Sequence, residues 1–86
     1  MDPSEFKWNA LKNERLKKTR GVSFEEIVLA QFVDIEKHPS NEFQERMFFE
    51  WKGYIWVVPF VREGGAIFLK TVYPSRKHTK KYKGSK

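Results

Sequence analysis

The chain has 86 residues, including eight phenylalanines, three tryptophans and three tyrosines, and it has no cysteine. This length fits one small domain, and the lack of cysteine excludes disulfide bonds, cysteine-bearing zinc sites and a thiol nucleophile. Seventeen basic residues against eleven acidic ones give a net charge of +6, which favours a polyanionic partner as much as it favours simple solubility.

Two helices are predicted in the N-terminal third, after a short strand fragment. Asn9 can cap a helix through ALKNERLKK, which is rich in helix-forming residues, and Gly21 stands where helices commonly end. Ser23 and Glu26 have the S-x-x-E spacing of a capping box. This spacing predicts a second, short helix that begins at about Phe24.

The middle of the chain has the alternation that is typical of β-strands. In AQFVDIE, the pattern predicts Phe32 and Asp34 on one side of a strand. A second strand alternates from Phe43, and turn signals at 52–53 and 63–65 separate the later strands YIWVVPFV and AIFLKTVY. Because proline cannot donate to a strand ladder, Pro59 predicts a bulge or an unpaired amide.

The C-terminal segment combines a helix signal with a run of cations. Pro74 ends the last strand, and Ser75 can cap a short helix through Tyr82, which leaves residues 83–86 as a frayed basic tail. Beyond the last acid, the basic residues are Lys70, Arg76, Lys77, Lys80, Lys81, Lys83 and Lys86. We therefore predict a single α+β domain over residues 1–86, with two N-terminal helices and a short C-terminal helix packed on one face of a mostly antiparallel sheet.

The residue types suit RNA cleavage without a metal ion. RNA carries its own nucleophile, the 2′-hydroxyl, so the protein needs only a proton carrier and cations for the phosphate. The chain has no HExxH motif or glycine-rich phosphate loop, and its two histidines, His38 and His78, have no obvious co-ligands. We predict no metal site and no cofactor. Candidate catalytic residues are Arg62, Arg76 and His78, and candidate nucleic-acid contacts are Lys70, Lys77, Lys80, Lys81 and Tyr82.

Each of these candidates also has an ordinary structural explanation. Arg62 precedes a turn, where an exposed arginine is common, and Lys70 fits a solvated face of a sheet. A histidine in a basic segment is commonly solvent-exposed, as His78 would then be. The sequence alone leaves both explanations open.

Three segments form an ordered set that spans nearly the whole chain: FKWNALKN, KKTRGVSFEEI and YPSRKHTKKY. This set resembles the BrnT family of bacterial toxins. Members of that family have the corresponding patterns F-x-W-(D/N)-x-x-K-N, K-K-H-G-(I/V)-S-F-E-E-A and A-R-K-A-T-x-x-E-x-x-x-Y. The chain departs from the family at Arg20, where members have histidine, at Thr71, where they often have arginine, and in the closing segment, which lacks the glutamate.

The resemblance implies a compact RelE-like ribonuclease fold and a prokaryotic type II toxin–antitoxin system. It also implies a cognate antitoxin, often with a ribbon-helix-helix domain, that neutralises the toxin and binds operator DNA with it. The protein itself would then meet operator DNA only through the antitoxin.

Three functions stay open at this point. The first is a translation-inhibiting ribonuclease toxin acting on mRNA or ribosome-associated RNA, with Arg62 and Arg76 on the scissile phosphate and Lys77 and Lys80 on the backbone. The second is a non-catalytic RNA- or DNA-binding module, and the third is a toxin-fold protein that acts only in complex with an acidic partner. No apolar stretch approaches the ~20 residues of a membrane span, and the N-terminus has no signal-peptide pattern, so we expect a cytoplasmic protein without membrane contact.

Overall fold

A computed structural model describes residues 5–37, 39, 40 and 44–83. Its elements in chain order are β1 (Phe6–Trp8), α1 (Ala10–Arg20), α2 (Phe24–Val28), β2 (Gln31–Lys37), β3 (Glu45–Trp51), β4 (Tyr54–Glu63), β5 (Ala66–Leu69), β6 (Tyr73–Pro74) and α3 (Arg76–Tyr82). The small α+β domain predicted from the sequence is confirmed. None of the helices in these ranges is long and apolar enough to cross a membrane.

The capping signals near the N-terminus form as predicted. Asn9 Oδ1 accepts a hydrogen bond from Lys12 N at 2.9 Å, and Gly21 ends α1 with a φ of 67°. Ser23 Oγ accepts from Glu26 N at 3.1 Å, while Glu26 Oε1 accepts from Ser23 N at 3.0 Å. This reciprocal pair is a complete capping box, and it starts α2.

The six strands form one mixed sheet in the order β1-β5-β4-β3-β2. β6 pairs with β4 on the same edge as β5, because β3 occupies the other edge. Four of the pairings are antiparallel, but β1 runs parallel to β5. The parallel pair is a correction to the predicted sheet. It joins the first strand to the fifth across both N-terminal helices, a distant pairing that no local pattern specifies.

Helices cover both faces of the sheet, which corrects the prediction that all helices pack on one face. We call the side of Met47 and Phe49 the main face, and the side of Phe48 and Ile55 the second face. The core on the main face, which α1 and α2 cover, consists of Phe6, Leu16, Val22, Phe24, Ile27, Met47, Phe49, Trp56, Val58, Phe60, Ile67, Leu69 and Val72. α3 packs on the second face instead, because β3 and β4 are apolar on both sides and each side needs cover.

A β-bulge in β2 decides which side chains reach each face. Phe32 pairs with Phe49, but Asp34 pairs with Phe48, so Val33 is an extra residue in the ladder. The register shift places Phe32 on the main face and Asp34 on the second face. The prediction that these two side chains share a side was therefore wrong. The start of the predicted alternation in β3, at Phe43, lies outside the described residues.

Pro59 lies in β4 where the pairing passes from β5 to β6, and the predicted irregularity is confirmed there. Phe60 pairs with Leu69, whereas Val57 pairs with Tyr73, so the register shifts by one residue between the two strands. The backbone N of Lys70 donates to Pro59 O at 2.8 Å. The missing N–H of the proline thus falls in a break of the ladder, where it removes no regular strand bond.

Candidate functional site

Backbone and cap hydrogen bonds hold α3 against the second face. Ser75 Oγ accepts from His78 N at 3.1 Å, and Ser75 N donates to Ile55 O at 2.9 Å. Ile55 N in turn donates to Thr79 Oγ1 at 2.8 Å, and this hydroxyl donates to Ser75 O at 2.7 Å. The predicted capped helix through Tyr82 is confirmed, and its first turn is fixed to the start of β4.

The end of α3 is fixed by Tyr82, whose hydroxyl donates to Asp34 Oδ2 at 2.8 Å. This bond, together with the backbone N–H of Ile35, holds the pKa of Asp34 below its usual range. Burial and the bond to Asp34 raise the pKa of Tyr82 to about 12. Tyr82, predicted as an RNA contact, is therefore committed to the sheet through its hydroxyl. Lys83 follows as the C-cap and donates to Glu50 Oε2 at 2.6 Å, and residues 84–86 of the predicted tail lie outside the described residues.

His78 is the titratable group that α3 brings onto the second face. Its ring is half-buried, with a centroid 4.6 Å from that of Phe48, and its Nδ1 lies 2.7 Å from Ser75 Oγ. Burial, and then the positive charge of Arg46, lower the pKa of His78. The ring is therefore neutral near pH 7 and able to accept a proton. In the tautomer in which Nδ1–H donates to Ser75 Oγ, Nε2 is the nitrogen that can accept the proton.

Arg46 and Glu36 form an ion pair beside His78. They are cross-strand partners on β3 and β2, and Arg46 Nη2 donates to Glu36 Oε1. The Arg46 side chain is only 15% exposed, and its guanidinium carbon lies 5.7 Å from the centroid of Phe48, the ring that also contacts His78. Among the buried side-chain nitrogen and oxygen atoms in the described ranges, Arg46 Nε is the one without a hydrogen-bond partner. A buried N–H without a partner costs free energy, and in native proteins such groups occur both at functional sites and where a water molecule pairs with them.

The sequence analysis missed both members of this ion pair. Glu36 and Arg46 are ten residues apart, and the loop between them and the bulge in β2 set their register. The sequence did contain a signal for this pair, because Glu36 and Arg46 are opposite charges among apolar residues on two successive strands. Without the bulge at Val33, however, the pattern would have put Glu36 on the wrong face.

The cations of α3 divide between its two sides. Lys77 and Lys81 are exposed and near enough to His78 to contribute to its lowered pKa, although less than burial and Arg46 do. Lys80 is also exposed. Arg76 precedes His78 by two residues, which is about 200° around a helix, so its side chain leaves from the other side. The structure thus groups Lys77 and Lys81 with His78, and it does not group Arg76 with them.

Arg62 and Lys70 lie apart from α3. Arg62 is exposed on the main face, where its Nε and Nη2 donate to Glu45 Oε1 at 2.6 Å and to Glu45 Oε2 at 3.3 Å. It is five residues beyond Val57 on β4, a distance of about 16 Å at strand spacing. Lys70 is exposed just after β5. His38 lies outside the described residues.

A metal site and an apolar pocket are the remaining possibilities among the described residues. Within residues 5–37, 39, 40 and 44–83, no group of three or more His, Cys, Asp or Glu side chains is arranged to hold a metal ion. A concave pocket of about 210 Å³ opens on the main face, lined by Phe6, Val28, Ala30, Phe32, Met47 and Phe49. Its lining carries no charge, so it suits apolar groups and not proton transfer.

Comparison with known proteins gives one solved structure with the same fold. No protein-family model matches the sequence, and neither does any curated protein. The crystal structure of the Brucella abortus ribonuclease toxin BrnT matches with a TM-score of 0.52, covering 79% of this chain and 91% of that chain at 19% identity. The chain therefore has a BrnT-like fold, as the three sequence motifs indicated.

Proposed function

We propose that this protein is a ribonuclease toxin of a type II toxin–antitoxin system that cleaves RNA without a metal ion and so inhibits translation. The observation that carries the proposal is the BrnT-like fold, together with a histidine of lowered pKa on the cationic helix α3, beside a largely buried arginine. The finer assignment to the RelE-like ribonucleases rests on the sequence resemblance.

In the proposed reaction, His78 removes the proton from the 2′-hydroxyl of the nucleotide before the scissile bond. The 2′-oxygen forms a bond to phosphorus, the bond from phosphorus to the 5′-oxygen breaks, and that oxygen takes up a proton from a water molecule. The resulting hydroxide then takes the proton from His78, which returns the ring to its neutral form. The products are a 2′,3′-cyclic phosphate and a 5′-hydroxyl end. A base with a pKa near or below neutral suits this step, because it is unprotonated at the pH of the cell.

The cations around His78 have separate roles in this scheme. Lys77 and Lys81 are exposed beside the histidine and are placed to hold phosphate oxygens. Burial, followed by the positive charge of Arg46, lowers the pKa of His78, and that same charge favours the negative charge gathering on phosphorus. Arg62 and Arg76 remain predicted phosphate contacts, but the geometry favours the two lysines for that role.

The partner that we propose is a cognate antitoxin of the ribbon-helix-helix type, through which the complex would bind operator DNA in a prokaryotic cytoplasm. A net charge of +6 suits an acidic neutralising segment as well as RNA. The two partners would then compete for the same basic surface on α3.

Inducible expression in a bacterial host tests this function. Wild-type protein is expected to arrest growth and to deplete full-length mRNA, and co-expression of the antitoxin encoded by the neighbouring reading frame is expected to restore both. His78→Asn is expected to abolish the arrest, because it removes the proton carrier. Lys18→Gln, a matched loss of one exposed cation on α1, is expected to keep it. Normal growth with intact RNA under wild-type expression would refute the proposal.

A non-catalytic RNA-binding module is the second candidate, and one observation favours it. Arg46 and Arg62 are both already bonded to glutamates, so neither guanidinium is ready to grip a phosphate. Such a protein would bind single-stranded RNA through α3 and leave it uncut. Tight RNA binding without cleavage by the purified protein would select this function over the first.

A further inference from the structure

α3 covers only part of the second face, and Phe68 lies in the part that it leaves uncovered. The helix packs around Phe48, Ile55 and Val57. Phe68 pairs with Val61 on β4, four residues beyond Val57, which is about 13 Å at strand spacing. Both Phe68 and Val61 remain partly exposed. An aromatic ring is thus available on the same face as His78, a short distance along the sheet.

Two lysines border this ring. Lys70 Nζ lies 5.4 Å from the centroid of Phe68, and the backbone of Lys70 is fixed by its bond to Pro59 O at 2.8 Å. Lys7 on β1 is the direct cross-strand partner of Phe68, and both lysines are exposed. The nearest acid along β4 is Glu63, which lies on the same face two residues beyond Val61, at the turn that ends the strand. Across the three neighbouring strands β4, β5 and β1, the cross-strand partners on this face are Val61 and Phe68, which are apolar, and then Lys7, which is basic.

We propose that Phe68 is a stacking platform for one unpaired base of a single-stranded RNA, with Lys7 and Lys70 bound to the phosphates on either side of that base. An aromatic ring with cations at its edges is the usual construction of such sites, because the ring takes the base and the cations take the backbone. The inference rests on the proposed function and extends it. It places a binding position for one RNA base beside Val61, about 13 Å along β4 from Val57, which α3 covers.

Charge complementarity supports RNA as the occupant of this surface. The lysines of α3 on the His78 side and the two lysines beside Phe68 lie on one face of the sheet. A short single strand could follow both groups with its phosphates while one base turns inward to Phe68. If Phe68 served only to pack on the sheet under lysine side chains, leucine would replace it without any change in RNA binding.

Binding of two uncleavable strands tests the platform without depending on catalysis. The first strand is a 2′-O-methyl oligouridine of 12 nucleotides, and the second has the same length and charge but lacks bases. Phe68→Leu keeps an apolar side chain on β5, and thermal unfolding checks that the variant is folded. It is expected to weaken binding of the first strand about 5- to 100-fold, the range for losing one stacked base, and to leave binding of the second unchanged.

The matched controls separate stacking from charge. Lys70→Gln is expected to weaken binding of both strands and to lower the salt slope by about 0.7. Phe32→Ala removes an exposed ring from the main face, where Phe32 is 50% exposed, and is expected to change neither strand's affinity.

Two results would overturn the platform. They are equal affinity of Phe68→Leu and wild type for the base-bearing strand, or an equal loss on both strands. The proposed function fails separately, if wild-type protein leaves unmodified RNA uncut.

Discussion

At the scale of single residues, His78 depends on its surroundings for its charge state. Its ring lies against Phe48, and Arg46 lies against the same ring, so burial and a positive charge both disfavour the protonated form. Removing the positive charge or the burial should therefore change the pKa of the His78 imidazole.

Arg46→Met is expected to raise the pKa of His78. It removes the positive charge that has the largest effect on the ring and leaves the negative charge of Glu36 beside it. The measurement is an NMR pH titration of the His78 ring. Arg62→Met is the matched control, since Arg62 lies on the main face in a pair with Glu45, and it should leave the titration unmoved. An unchanged midpoint in Arg46→Met would separate Arg46 from the site.

His78 is also expected to make the fold less stable in mild acid. Its folded pKa lies below the unfolded value of about 6.5, so the unfolded chain binds the proton more readily. The contribution of His78 is therefore fully present above pH 6.5 and is lost as the pH falls through the folded pKa. Urea unfolding between pH 7.5 and 5 should show this loss in wild type and a smaller one in His78→Asn. Asp34, whose pKa is lowered, contributes its own loss only below about pH 4, outside this window. Equal slopes for wild type and variant would contradict the account of His78.

At the scale of elements, the helix starts were predictable, and so were His78 and the lysines of α3, but the ion pair beside them was not. The caps at Asn9, Ser23 and Ser75 each bond to a backbone N–H three residues on, so short sequence spacings were enough to find them. The pairing of Glu36 with Arg46 depends instead on a bulge and on cross-strand register. No short spacing encodes such contacts.

The capping box of α2 gives the clearest prediction for stability. Ser23→Ala removes the acceptor for Glu26 N and should lower the free energy of unfolding by about 0.5–2 kcal/mol. Chemical denaturation with urea measures the change. Glu26→Gln is the matched control, because the glutamine side chain can still accept from Ser23 N and should cost less. A midpoint unchanged by Ser23→Ala would mean that the cap does not stabilise α2.

At the scale of the whole molecule, the two faces of the sheet differ in what they carry. The main face holds the larger core under α1 and α2, and the second face holds α3, His78 and the ion pair of Arg46. The sequence showed that β4 is apolar on both sides, but not which helix covers which side. It also could not show that β1 returns to lie parallel to β5. Both features are set by tertiary packing between distant segments, not by local propensity.

The basic surface of α3 predicts a salt-dependent affinity for RNA. Lys77→Gln combined with Lys81→Gln should lower the slope of log affinity against log salt by about 1.4, since each single-strand phosphate contact contributes about 0.7. Fluorescence anisotropy at several salt concentrations gives the slope. Arg15→Gln combined with Lys18→Gln serves as the control, because both are exposed cations of α1, which covers the main face. A slope that the double substitution leaves unchanged would mean that these lysines do not contact RNA.

The most direct test of the central claim is RNA cleavage by the purified protein in the presence of a metal chelator. The account predicts products with 2′,3′-cyclic phosphate and 5′-hydroxyl ends. It also predicts no cleavage of a 2′-O-methyl strand of the same sequence, and no cleavage by His78→Asn. Intact RNA under these conditions, or cleavage that His78→Asn performs as well as wild type, would contradict it.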